Sequence, residues 1–125
     1  MRVIIDTNVL LSALIQRNGV PALVLRAWLE DRFTLLTHET QIAEFRDTSR
    51  RDHLRARIAR SEAGKLINQI RKAAYVIDRL PNVQRSANPK DDFLLALCEV
   101  GMADFLVTAD KAGLLVLAPM AARPS

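Results

Sequence analysis

The chain has 125 residues, half of them hydrophobic but only 5% aromatic, which suits a single domain around one mainly aliphatic core. One cysteine, Cys98, excludes an internal disulfide and a cysteine-based zinc cluster. No apolar run reaches the roughly 18 residues that span a bilayer, and the start lacks a signal-peptide pattern, so the expected location is cytoplasmic with no membrane partner. The formal charge of +4 and pI near 9.8 lean towards polyanionic partners.

Val3, Ile4 and Ile5 form a β-branched run that reads as a strand buried on both faces and ends on Asp6. An acid there points into the crevice at a strand's carboxyl end, where open α/β sheets place ligands. It would equally serve as the cap of the helix that follows. That helix runs from about Asn8 to Ile15, and a second runs from Pro21 to Glu30, with Trp28 in the core among aliphatics. Phe33 to Leu36 is the second strand. Thr37-His38 then opens a helix whose inner face holds Ile42 and Phe45, with Glu44 one step off that stripe.

Six arginines crowd the window from Arg46 to Arg60, read as a loop running into a helix. Arg46, Arg50, Arg51 and Arg55 are candidates for contacting RNA phosphates or a partner protein, against the plain alternative of a solvated face. With no interleaved aromatics, base stacking is not expected. A helix from Ser61 carries Leu66, Ile67 and Ile70, and Tyr75 to Ile77 is a third strand. After a loop from Pro81, Asn88-Pro89-Lys90-Asp91-Asp92 is a strong helix start, with Asn88 as cap, Pro89 at the first helical position and Asp91 where a carboxylate satisfies backbone donors. Asp92 has no such duty and is the better candidate for chemistry. Cys98 reads as a small buried residue. Phe105 to Asp110 repeats the opening pattern of an apolar strand ending on an acid, Leu114 to Leu117 is a last strand candidate, and the tail from Ala118 to Ser125 shows no regular pattern.

Asp6, Asp92 and Asp110, with Glu44 as a fourth, are thus candidates for one crevice. Each like-charge pair at about 4 Å repels by several kcal/mol at an effective dielectric near 20, a cost that a divalent cation removes. Hard oxygen donors select Mg²⁺ or Mn²⁺, ions suited to delivering water to a phosphodiester.

The ordered motifs Asp6-Thr7-Asn8, Leu36 to Phe45, Asn88 to Leu97 and Leu106-Val107-Thr108-Ala109-Asp110-Lys111 resemble the PIN domain family, and most of all its toxin members from bacterial type II toxin–antitoxin pairs. The resemblance covers Met1 to about Leu117. It implies a single PIN domain over 1–125, a three-layer α/β/α sandwich with a central parallel sheet of four to five strands. By the same resemblance Asp6, Glu44, Asp92 and Asp110 are the catalytic, metal-binding acids, while Asn8, Thr108 and Asp91 support them by orienting ligands or water. The implied activity is a Mg²⁺- or Mn²⁺-dependent endoribonuclease, held inactive by a cognate antitoxin and commonly a homodimer. His38 stands where relatives often have Ser, and Asn88 where many have Asp. Relatives usually continue through another strand and a short helix, so the 118–125 tail reads as a truncated or altered ending.

Two alternatives come from other classes. A PIN-like module could bind RNA or an antitoxin without catalysis, because fold alone does not decide activity. A phosphatase of the haloacid dehalogenase type also begins with a strand ending on Asp, but wants a second Asp two residues later, where this chain has Asn8.

Overall fold

Alternation along the first strand decides the layering. Successive side chains of a strand point to opposite faces, and an apolar run without polar interruptions must therefore be covered on both. A computed structural model of the chain describes residues 1–78, 89–110 and 113–117, with backbone alone at 89–92, 110, 113–115 and 117. The loop from Pro81, the Asn88 cap, Lys111 and the 118–125 tail lie outside the described residues.

The strands are β1 (Arg2–Ile5), β2 (Thr34–His38), β3 (Tyr75–Ile77), β4 (Phe105–Asp110) and β5 (Gly113–Leu117), in the sheet order β3-β2-β1-β4-β5. The helices are α1 (Thr7–Ile15), α2 (Val20–Leu29), α3 (Glu39–Ser49), α4 (Asp52–Arg55), α5 (Arg60–Ala73) and α6 (Pro89–Gly101). Val3, Ile5, Leu35 and Val107 join one core with Trp28, Phe45, Leu66 and Ile70. Ile4, Leu36 and Leu106, the intervening positions, join a second core with Leu94, Leu97 and Cys98 of α6. Each fully buried aliphatic contributes roughly 1.5–3 kcal/mol. The result is the expected three-layer α/β/α sandwich.

The first four strands are parallel, with Ile4 opposite Leu36 on one side and Leu106 on the other. The fifth is antiparallel to β4. Two residues separate β4 from β5, and a parallel return needs a crossover of a dozen or more. The chain winds outward from β1 through β2 to β3, then returns to lay β4 on the other flank of β1. That reversal makes the carboxyl end of β1 and β4 the topological switch point, where such sheets open a crevice.

Two stretches differ from the sequence reading by more than a residue at a boundary. Thr37 and His38 do not open a helix: they finish β2, pairing with Val76 and Ile77. The ladder to β3 wins there over local propensity, and the helix begins at Glu39 once His38 Nδ1 accepts the Thr40 backbone N–H at 3.0 Å. His38 therefore performs the capping that a Ser would. The arginine window is likewise not a loop running into a helix. Its first four residues are the last turn of α3, α4 occupies Asp52 to Arg55, and Ile58 is buried before α5 starts.

At the far end of α6, Met102 adopts φ 53° and Ala103 donates its N–H to the Cys98 carbonyl at 3.0 Å, a left-handed C-terminal cap. A Cβ on Gly101 would come within 2.7 Å of Leu36 Cδ1 and 2.8 Å of Ile77 Cδ1, so any other residue would have to push aside the tips of both side chains for α6 to press this closely on the sheet. Among the described residues, no single helix is long and apolar enough to cross a membrane.

Cys98 is buried, as expected, and burial, with Glu99 adding to it, pushes its thiol from 9.0 up to about 11. The stability linked to this group is present in full below 9.0 and is lost as pH rises through about 11. Iodoacetamide at pH 8 is expected to leave Cys98 unmodified in the native protein and to alkylate it in urea. Rapid labelling of the native protein would contradict the buried, protonated thiol.

Candidate active site

The end of β1 is clamped from three directions. Asp6 donates its backbone N–H to the Val107 carbonyl at 2.9 Å, which carries the β1–β4 ladder one residue past the strand. Gln41 of α3 donates from Nε2 to the Ile5 carbonyl at 2.6 Å, holding the peptide that joins Ile5 to Asp6. Thr108 of β4 donates from Oγ1 to Asp6 Oδ2 at 3.0 Å.

These bonds take the Asp6 side chain out of the capping role that the sequence allowed it. The residue does occupy the N-cap position of α1, and its carbonyl accepts from Val9 and Leu10, but its side chain makes no capping hydrogen bond. The carboxylate turns instead towards β4. It is only 7% exposed, and a carboxylate so far from water is retained at a cost unless polar partners or a cation compensate it.

Glu44 is carried by α3, the helix that Gln41 ties to the end of β1. Gln41 is 4% exposed and Thr37 3%, and Thr37 Oγ1 donates to Gln41 Oε1 at 2.6 Å, so both ends of the amide are used. This orients the Gln41 NH₂ group towards Ile5. Glu44 follows one helical turn later on the same face of α3 and is half-buried. An ion pair between Arg71 and Glu39 ties the start of α3 to α5.

The other two acids are placed by their elements. Thr108 lies opposite Leu115 near the end of β4, and Asp110 is the last residue of that strand. Asp92 lies in the first turn of α6, next to Phe93, whose ring meets the edge of the His38 ring at a centroid distance of 5.8 Å. Since His38 ends β2, that contact sets the start of α6 at the carboxyl edge of the sheet. The side chains of Asp91, Asp92 and Asp110 are outside the described residues. Among the described residues, no group of three or more His, Cys, Asp and Glu forms a metal cluster. Asn8 is exposed in the first turn of α1.

The backbone thus brings the elements carrying three of the four predicted acids to one edge of the sheet, and the fourth is carried by the helix pinned to that edge. Every candidate donor is an oxygen, the chemistry that suits Mg²⁺ or Mn²⁺ rather than softer-site metals. The model of one family, described as PIN domain, matches residues 2–112. The chain belongs to the PIN domain family. PIN domains are generally nucleases and typically use divalent metals. The dehalogenase-type phosphatase is thereby set aside. No curated protein and no solved structure matches the chain significantly.

Thr37 and Gln41 are the residues that sequence reasoning missed. A signal was present, since Gln41 stands four residues before Phe45 and so on the buried stripe of α3. The arginines separate into two groups: Arg46, Arg50 and Arg55 line a common cleft, whereas Arg51 is exposed at the N-cap of α4 and does not line it.

Proposed function

We propose that this PIN domain is a metal-dependent endoribonuclease, the toxin of a toxin–antitoxin pair. The observation that carries the reading is the buried Asp6 carboxylate, held by Thr108 at the switch point of the sheet. Asp6, Glu44, Asp92 and Asp110 would hold the ion, with Thr108 and Asn8 orienting ligands or water, and Asp91 serving the start of α6. When bound, Mg²⁺ or Mn²⁺ supplies the positive charge that stabilises the transition state and activates water for attack on phosphorus. The clamp on Asp6 keeps that carboxylate in place without reorganisation during the reaction. Basic residues beyond Glu44 on α3 would hold the RNA backbone.

The toxin assignment adds partners. Val20 and Leu23 of α2, one helical turn apart, are each more than half exposed, an apolar surface that supports contact with a cognate antitoxin or a second copy in a homodimer. The reading carries with it a cytoplasmic reaction on an RNA substrate.

Purified protein with labelled RNA tests the activity. Cleavage is expected with Mg²⁺ or Mn²⁺ and not with Ca²⁺ or EDTA, while circular dichroism stays the same in all four. Cleavage that persists in EDTA would overturn the metal dependence. A protein that binds RNA but leaves it intact under every condition would be the catalytically silent binding module.

A further inference from the structure

Beyond Glu44 the end of α3, the short α4 and the start of α5 enclose a cleft of about 230 Å³. Arg46, Arg50, Arg55 and Arg60 all line it, over a floor that includes the buried Ile58. Arg46 pairs with Asp47 at 3.6 Å and Arg55 with Asp52 at 3.3 Å, but those carboxylates are 72% and 92% exposed, so the bridges are weak and solvent-screened. Among the described residues, no carboxylate pairs with Arg50 or Arg60. Four guanidinium groups around one small space repel one another, and an anion there reverses the sign of that interaction.

Gly64 supplies an independent observation. It lines the same cleft from inside α5, where glycine is the least favourable residue short of proline. A Cβ built on it meets nothing within 4 Å. Packing within the protein therefore does not call for glycine, and the space left by the missing side chain belongs to the cleft.

We propose that this cleft is a phosphate-binding pocket that seats one backbone phosphodiester of the RNA, apart from the acidic edge. The proposal rests on the nuclease reading for the identity of the polyanion. Guanidinium forks match phosphate oxygens two at a time. The cleft has no aromatic residue on which a base could stack, which points to the backbone as the group recognised. Arg46 follows Glu44 by two residues of α3, which turns the two side chains to nearly opposite faces of the helix, so the cleft is set apart from the acids and would hold the RNA backbone at a distance from them.

Fluorescence anisotropy of a labelled single-stranded RNA, with Ca²⁺ in place of Mg²⁺, reads this pocket without turnover. Arg50→Gln and Arg60→Gln are each expected to weaken binding about tenfold and to flatten its salt dependence. Gly64→Gln, which fills the cleft without changing charge, should weaken binding similarly while the melting temperature holds or rises. Arg51→Gln and Arg57→Gln, exposed in the same window but outside the cleft, should change affinity by less than about twofold. Wild-type affinity in Gly64→Gln, or equal losses from Arg51→Gln and Arg50→Gln, would overturn the pocket in favour of diffuse surface charge. If that result came with Mg²⁺-dependent cleavage intact, the nuclease reading would stand without the pocket. A wild-type protein that ignores RNA yet binds polyglutamate through Arg50 and Arg60 would overturn both, making the cleft a site for an acidic protein segment.

Discussion

Asp6→Asn is expected to lower the rate of RNA cleavage by roughly 100- to 1000-fold, the scale on which loss of one electrostatic group in a reacting site is felt. The substitution is nearly isosteric. The amide oxygen still accepts from Thr108, and the backbone bonds to Val107 and from Gln41 remain. Only the charge is lost. Because Asp6 is only 7% exposed, removing its charge relieves a desolvation cost, and the melting temperature in EDTA should hold or rise. Stability and activity therefore move in opposite directions, which separates a catalytic role from a structural one. An Asp6→Asn protein that cleaves RNA at the wild-type rate would contradict the assignment, and one that fails to fold would make Asp6 a structural residue.

Gln41→Leu should cost about 2–3 kcal/mol of folding stability, because it leaves the Ile5 carbonyl and the Thr37 hydroxyl buried without their present partner. Urea denaturation measures this as a shift of the midpoint with little change in slope. Removing Thr37 as well, in Thr37→Val with Gln41→Leu, should cost less than the two single changes together, since one stranded hydroxyl disappears. The functional consequence goes further than stability. Gln41 is what fixes α3 to the end of β1, so below the unfolding transition the variant should still lose cleavage, through a looser Glu44. Additive stability losses with undiminished cleavage would show that α3 is positioned by its apolar face alone.

Much of this arrangement is legible before any coordinates. Val3-Ile4-Ile5-Asp6 and the run from Phe105 to Asp110 each announce a buried strand that ends on an acid, because β-branched and aliphatic runs have few other uses. Their register, with Ile5 opposite Val107, is a tertiary fact that neither segment carries locally. The hydrophobic stripe of α3 was visible in Ile42 and Phe45, and the position of Gln41 four residues before Phe45 put it on that stripe but did not show what it would bond. Its value comes from what lies opposite, the carbonyl of Ile5. His38 illustrates the same point in reverse. As a helix opener it was misplaced, and as the last residue of β2 it both caps α3 and holds Phe93 at the start of α6.

The arginine window divides along similar lines. Charge density alone grouped Arg46, Arg50, Arg51 and Arg55, whereas folding sends Arg51 outward and brings Arg60 in. Helix phase could not have sorted them, because the window crosses three helices and two breaks.

Convergence of the four acids on one divalent ion is the claim from which the rest follows, and Mn²⁺ binding measured by electron paramagnetic resonance tests it without RNA or turnover. Glu44→Gln, Asp92→Asn and Asp110→Asn should each weaken Mn²⁺ binding by about tenfold or more, while Glu39→Gln, on the same helix as Glu44 but engaged with Arg71, should bind as the wild type does. Unchanged Mn²⁺ affinity in Asp92→Asn and Asp110→Asn would contradict a shared site.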